Sequence, residues 1–384
     1  MKKKKIVIFT GSRADYGILQ NLIVKFKKEK KVITSTLVGS HHFSNFYGNT
    51  YKEIINDKIK IDYFIKLSTN NILKQDLINY LSKSILLYKK ILTKLNPNII
   101  LILGDRYEAF SLALCSFYLG IPIGHIHGGE VTSGSLDDAH RHMISKLSAI
   151  HFPSHEVYKN RLIQLGENRK NIFLSGSLGV ENIINLKFRD KNKLYENLKL
   201  DIQKETLLIT FHPETISNIT HKDQIRIFLD SLTELKNLNL VFTFSNSDPF
   251  SFLFIKCINK FKRKSSSKVY IFKSLGKEIY LNLMKYSKII VGNSSSGIIE
   301  APAFNVTTLN VGERQSGRYR YKSIIDCELN SKKIYIKIKK ILKQKKNFQN
   351  KIIKKNSANI IIKKITEKIL KDNFQPKKFY DIKF

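Results

Sequence analysis

Short apolar runs alternate with amphipathic stretches along the first half of the chain. Ile6–Phe9, Ile33–Val38, Ile99–Leu103, Ile123–Ile126 and Ile172–Leu174 are brief and dominated by Ile, Leu and Val. Such runs predict strands buried on both faces of a parallel sheet. Between them, Ile18–Phe26, Ile72–Leu95, Tyr107–Tyr118, Asp138–Leu147 and Glu156–Leu165 space their apolar residues for one helical face. The rhythm of strand and helix predicts a doubly wound sheet. It pauses at Leu186–Lys204, a charged stretch that reads as a helix or linker, and then restarts. Leu207–Phe211, Leu238–Phe244, Val269–Phe272, Ile289–Val291 and Thr308–Val311 are the strands of the second half. Lys222–Leu235, Pro249–Phe261, Lys277–Lys285, Gly297–Ala303 and Ser331–Gln344 are its helices, and Asn356–Lys371 closes the chain as helix.

The predicted class is α/β: two Rossmann-like doubly wound domains, residues 1–180 and 181–384, with the closing helices able to pack back on the first. A length of 384 residues suits two cores of roughly 180 residues each. Ligands of such sheets bind at the carboxyl ends of the strands. Two of them facing each other predict an interdomain cleft as the binding site. No apolar stretch approaches the ~18 residues of a membrane span. The opening MKKKKIVIFTGSR has a basic start, but its apolar run is too short for a signal peptide and reads as a first strand. A cytoplasmic location follows from that reading. Cys115, Cys257 and Cys327 are three scattered cysteines without metal-ligand spacing, as in a chain with reduced thiols.

The net charge of +36 brings nucleic acid to mind. The lysines, however, are spread along the chain among Ile and Asn, and no nucleic-acid-binding motif accompanies them. The charge predicts attraction of small anionic substrates instead. No nucleic-acid or membrane partner is expected, and self-association as a dimer or tetramer is.

Polar motifs follow the predicted strands. Gly11-Ser12-Arg13 leads into a helix, where the backbone turns tightly and a guanidinium can fork onto phosphate. It lacks the G-x-G-x-x-G pattern of dinucleotide sites, so no NAD is expected. Gly104-Asp105-Arg106-Tyr107-Glu108 ends another strand, its Asp105 and Arg106 either paired as a structural bridge or serving acid/base and phosphate roles. His125-Ile126-His127-Gly128-Gly129-Glu130 ends the next, with His125 and His127 on one face if strand alternation holds. Asp137-Asp138 follows, with His140, Arg141 and His142 close behind. Asp137 also suits a helix cap. This density of His, Asp and Glu admits a metal reading, but acid/base work on a sugar uses the same residues without one. Neither metal nor cofactor is expected.

In the second half, His212 in FHPET and Asn246 follow strands and can reach a diphosphate. Gly292-Asn293-Ser294-Ser295-Ser296-Gly297 opens a helix, where N–H groups and hydroxyls can cradle phosphate, and Glu300 lies one turn on, placed for a ribose diol. Arg314 and Arg318 in GERQSGR add cations.

In series, GSRADYG, GDRYE, HIHGGE, LDD-x-HRH, FHPET, GNSSSGIIEAP and GERQSGR resemble the hydrolysing UDP-N-acetylglucosamine 2-epimerases of sialic acid biosynthesis, most closely the bacterial NeuC type. The resemblance extends to GSLGVEN from Gly176 and to FYDI from Phe379, and so covers nearly the whole chain. It implies a GT-B-type fold that closes over UDP, with release of UDP and free N-acetylmannosamine. It implies UDP contacts from Arg13, Arg106, His212, Asn246, Ser294, Ser295, Glu300 and Arg314, with Ser296 and Gly297 in the same turn. Asp105 and Asp137 match catalytic carboxylates of the family. Sister branches carry a catalytic Glu where this chain has His127, so the proton work falls to His127 or to Glu130. The implied mechanism is elimination of UDP, then hydration with inversion at carbon 2. Other readings are the same reaction on a 2,4-diacetamido-trideoxy hexose, a non-hydrolysing epimerase, or a GT-B glycosyltransferase.

Overall fold

The computed structural model describes residues 3–45, 47–68, 74–133, 135–214, 216–243, 251–344, 349–350, 352, 356–371, 374 and 377–381. The chain divides into two compact units. The first takes Met1–Glu130, Asp137–Asn182 and Ile353–Phe384; the second takes Val131–Leu136 and Ile183–Ile352. Residues 131–136 thus fall in the second unit, and the closing segment from Ile353 falls in the first.

In chain order the first unit holds β1 (Lys4–Thr10), α1 (Arg13–Lys28), β2 (Val32–Val38), α2 (Tyr51–Asn56), β3 (Tyr63–Phe64), α3 (Lys74–Leu95) and β4 (Ile99–Leu103). It continues with α4 (Tyr107–Tyr118), β5 (Ile123–Ile126), α5 (Asp137–Leu147), β6 (Ile150–Phe152), α6 (Glu156–Gln164) and α7 (Leu178–Ile184), which runs over the boundary. The second unit has α8 (Lys191–Asn197), β7 (Glu205–Thr210), α9 (His221–Thr233), β8 (Leu238–Thr243), α10 (Ser251–Phe261), β9 (Lys268–Phe272) and α11 (Gly276–Tyr286). Then come β10 (Ile289–Gly292), α12 (Ser295–Ile299), β11 (Thr307–Val311), β12 (Ile324–Cys327) and α13 (Ser331–Lys343). The last helix, α14 (Ser357–Leu370), belongs to the first unit.

Each unit is built on a six-stranded sheet, in the orders β3-β2-β1-β4-β5-β6 and β12-β11-β10-β7-β8-β9. Every pairing is parallel. The two orders are the same winding repeated, and each reverses direction once, between β1 and β4 and between β7 and β10. Those are the switch points at which ligands bind in such sheets. Period-2 alternation splits each apolar strand between two cores. Ile6 and Ile8 of β1 join Ile99, Leu101 and Leu103 of β4 under α1 and α14. Val7 and Phe9 face the other way, with Ile100 and Ile102, against α3 and α4. In the second unit Leu207 and Ile209 enter one core and Leu208 the other.

Two sequence expectations need correction. Residues 172–174 form no strand; Ile172 makes a single bridge to His151. The strand at that edge is β6, three residues long, whose histidine hid its apolar character. The alternation assumed for His125 and His127 also ends early, because His127 lies beyond β5 with φ +64°. Among the described residues no helix is long and apolar enough to cross a membrane.

The buried carboxylate of Glu181 ties α14 into the first unit. It accepts from the Ala358 backbone N–H at 2.7 Å, Lys25 Nζ at 2.9 Å and Asn21 Nδ2 at 3.0 Å. It thereby serves as a cap for the first turn of α14, whose N-cap Asn356 makes no side-chain cap bond. Glu181→Ala should cost about 2 kcal/mol, since a buried helix N–H loses its acceptor and the half-buried Lys25 ammonium loses one of two. Urea unfolding measures this, and Glu181→Gln should recover part of the loss.

Candidate active site

At the first switch point, β1 runs into Gly11 and Ser12, and Arg13 opens α1. Asp15 Oδ2 accepts from the Ser12 backbone N–H at 2.9 Å and from its Oγ at 3.0 Å, which fastens the turn. Burial pushes the Asp15 carboxyl up to about 6, against the pull of nearby Arg106. Arg106 therefore sits beside the β1 loop as well as at the end of β4. Its Nε lies 3.4 Å from Glu108 Oε2. Glu108 is fully buried and also paired with His41 Nδ1, and its cations hold it ionised, at about 2, despite burial. Tyr107 Oη lies 3.0 Å from His41 Nε2. The GDRYE segment is thus buttressed from the SHHF turn after β2, which sequence reasoning passed over.

His125 is a support for the same segment. Its Nε2 meets the Gly104 carbonyl at 2.7 Å and must carry the proton; Nδ1 then accepts from Ser145 Oγ at 3.0 Å. Burial pushes its imidazole down to about 3, so the ring is neutral and structural.

Asp105 is ion-paired with Arg141 Nη2. Arg141, only 1% exposed, also donates through Nη1 to the Glu130 carbonyl at 3.0 Å and lies 3.4 Å from Asp138 Oδ1. One guanidinium thus gathers the end of β4, the loop after β5 and the first turn of α5. Glu130 is 1% exposed; its Oε1 accepts from Ser154 Oγ at 3.1 Å and lies 3.6 Å from His127 Nδ1. Asp137 and Asp138 open α5, where the helix dipole favours negative charge, and Asp137 lies 3.8 Å from His140 Nδ1. Asp105, Arg106, His127, Glu130 and Asp137 therefore all stand at the carboxyl ends of β4 and β5. Arg141, quoted in the sequence motif without a role, is what joins Asp105, the Glu130 carbonyl and Asp138.

The second switch point has a different centre. Gly292 ends β10 with φ +128°, and a Cβ there would stand 2.0 Å from the Thr210 carbonyl oxygen, so only glycine allows this approach of β10 to β7. Beyond it the Asn293 side chain clamps His212: Oδ1 accepts from the His212 N–H at 2.7 Å, and Nδ2 donates to its carbonyl at 2.8 Å. The Asn293 carbonyl accepts from Gln315 Nε2 at 2.8 Å and from Arg314 Nη1 at 3.4 Å. Glu214 accepts from the backbone N–H groups of Glu313 at 2.6 Å and Arg314 at 3.2 Å. His212, Ser294 and Arg314 are thereby brought round one asparagine. Ser294 caps α12, of which Ser295 and Ser296 are the first residues, and Ser296 Oγ meets Tyr280 Oη at 2.6 Å. Gly297 is buried against Thr308. Burial pushes the Glu300 carboxyl up to about 7, with Lys277 pulling it back. Asn246 lies outside the described residues.

A model of the UDP-N-acetylglucosamine 2-epimerase family matches residues 24–366. The chain belongs to this family. A Campylobacter jejuni relative described as a GDP/UDP-N,N'-diacetylbacillosamine 2-epimerase (hydrolyzing) is 40% identical over 86% of this chain and 86% of its own. The Escherichia coli polysialic acid biosynthesis protein P7 is 34% identical over 99% of this chain and 98% of its own. Among solved structures, the Methanocaldococcus jannaschii UDP-GlcNAc 2-epimerase in complex with UDP-GlcNAc and UDP covers 94% of this chain and 99% of its own, at TM-score 0.79 and 20% identity. That likeness bears out the GT-B-type, two-sheet α/β fold.

For this 2-epimerase family member the raised carboxyl of Glu300 has a stability consequence. Between about 4.5 and about 7 the folded state holds a proton that the unfolded chain has released, so stability falls as pH rises through this window. Glu300→Gln removes that slope. Urea unfolding at pH 5 and pH 8 should show the variant gaining on the parent at pH 8.

Proposed function

We propose that the chain is a hydrolysing 2-epimerase, converting UDP-N-acetylglucosamine and water to UDP and N-acetylmannosamine. The C1–O bond breaks and its electron pair leaves with UDP. A base takes the proton from carbon 2, giving a 2-acetamidoglucal. Water then returns a hydroxyl to carbon 1, and a proton is delivered to the opposite face of carbon 2. Loss of UDP comes first because carbon 2 has no adjacent carbonyl; the developing oxocarbenium ion is what acidifies it.

Arg13, Arg106, His212, Arg314 and the amino end at Ser294–Gly297 stabilise the leaving diphosphate, with Asn246 in the same role. Glu300 accepts from the ribose diol. Asp105 and Asp137 handle protons at the hexose, and His127 or Glu130 serves carbon 2. The observation that carries this reading is the buried Arg141, which pairs with Asp105 and donates to the Glu130 carbonyl, beside His127.

A second reading keeps each step and changes the hexose to the 2,4-diacetamido form. The 40%-identical Campylobacter relative favours it, as does a Legionella pneumophila relative, 32% identical, described as a UDP-N,N'-diacetylbacillosamine 2-epimerase (hydrolyzing). Incubation with each sugar nucleotide in deuterated water, followed by NMR, separates them. Free 2-epimer with deuterium at carbon 2 is the expected product, from the first nucleotide in one reading and the second in the other. A UDP-linked epimer would mean the non-hydrolysing reaction. Asp105→Asn should lower kcat by about a hundredfold or more and leave UDP affinity within a few-fold.

Self-association belongs to the same proposal. Leu86 on α3 and Phe117 and Tyr118 at the end of α4 are 67%, 48% and 80% exposed, an apolar exposure that suits contact with a second copy. Light scattering of Leu86→Glu/Tyr118→Glu should show a smaller species than the parent chain.

A further inference from the structure

His127 adopts a left-handed backbone, φ +64°, without being glycine. That conformation is disfavoured for L residues and persists only where its surroundings impose it. The residues that impose it come from β6 and α6. The His127 N–H donates to the Phe152 carbonyl at 3.0 Å. Ser154 holds the Glu130 carboxylate at 3.1 Å. Gly129, φ +81°, is seated so closely on α6 that a Cβ would stand 2.3 Å from the Tyr158 carbonyl oxygen and 3.0 Å from Leu162 Cγ. Arg161, one turn along α6, donates through Nη1 to the Gly129 carbonyl at 2.9 Å. The next carbonyl, that of Glu130, is taken by Arg141 at 3.0 Å. Successive peptide groups of the loop are thus gripped by two guanidinium groups from different helices.

We propose that Arg161 is a positioning residue: by holding the Gly129 carbonyl it fixes the peptide planes between His127 and Glu130, and so aims both side chains at the hexose. It lies outside all the motifs that suggested the activity. Two charged grips differ in consequence from one. Arg141 anchors the Glu130 carbonyl, while the two glycines before it have no side chains of their own and owe their peptide planes to the seat on α6 and to the Arg161 bond. Without that bond the Gly129 peptide can turn, which alters the aim of Glu130 relative to His127, whose N–H stays on Phe152. The inference rests on the proposed epimerase reaction.

The test compares the parent chain with Arg161→Ala, Arg161→Gln and Arg161→Lys. Measured are kcat and KM on whichever sugar nucleotide the parent turns over, deuterium incorporation at carbon 2, UDP affinity and thermal unfolding. Arg161→Ala should lower kcat and carbon-2 exchange together by about ten- to a hundredfold, the loss of one charged hydrogen bond. UDP affinity should stay within twofold. Arg161→Lys and Arg161→Gln each retain a donor and should recover most of the rate. Unchanged kcat in Arg161→Ala overturns the inference, and so does a parallel fall in kcat and UDP affinity. Should Arg161→Ala not fold, Lys and Gln variants as slow as each other, by tenfold or more, overturn it, and near-parental rates in both sustain it. A parent chain that releases no free hexose from either nucleotide instead refutes the epimerase reading, with no bearing on whether Arg161 holds the loop.

Discussion

Arg141 is 1% exposed, and a guanidinium so far from water needs acceptors on several sides. Asp105, the Glu130 carbonyl and Asp138 provide them, and each comes from a different stretch of chain. Removing any one would leave part of a buried cation without compensation. This requirement ties the end of β4 to the loop after β5 and both to α5. Asp105, and the backbone that carries Glu130, are therefore held in place by the need to satisfy one charge.

The second unit reaches a similar end with a neutral group. Asn293 offers an acceptor to the N–H and a donor to the C=O of one residue, His212, and its own carbonyl draws in Gln315 and Arg314. An amide suits this place because it satisfies both a buried N–H and a buried C=O without carrying charge. The same winding thus carries two kinds of junction, an ionic one round Arg141 and a neutral one round Asn293.

Charge is distributed with the same division. His42 and His125 are buried beside polar partners, and burial pushes both imidazoles down to about 3, so neither adds a cation to the interior. Glu108 is ionised because His41 and Arg106 face it. The half-buried carboxyls of Asp15 and Glu300 are pushed up to about 6 and about 7. Asp15 lies in the first turn of α1, and Glu300 caps the end of α12.

The amino-acid sequence alone determined the two repeats of strand and helix, because a strand buried on both faces must be apolar throughout and a helix on its surface must show one apolar face. It also determined the motifs, since glycine, serine and charged residues directly after an apolar run have few structural uses. It did not reveal β6 or β12, whose short segments carry polar residues, nor the contact by which α14 joins the first unit, Glu181 meeting a helix start 177 positions along the chain. The roles of Arg141, Asn293, His41 and Arg161 were likewise decided by tertiary structure. Their side chains act on backbone groups and carboxylates brought close only by the winding of the sheets, and residue spacing holds no record of those contacts.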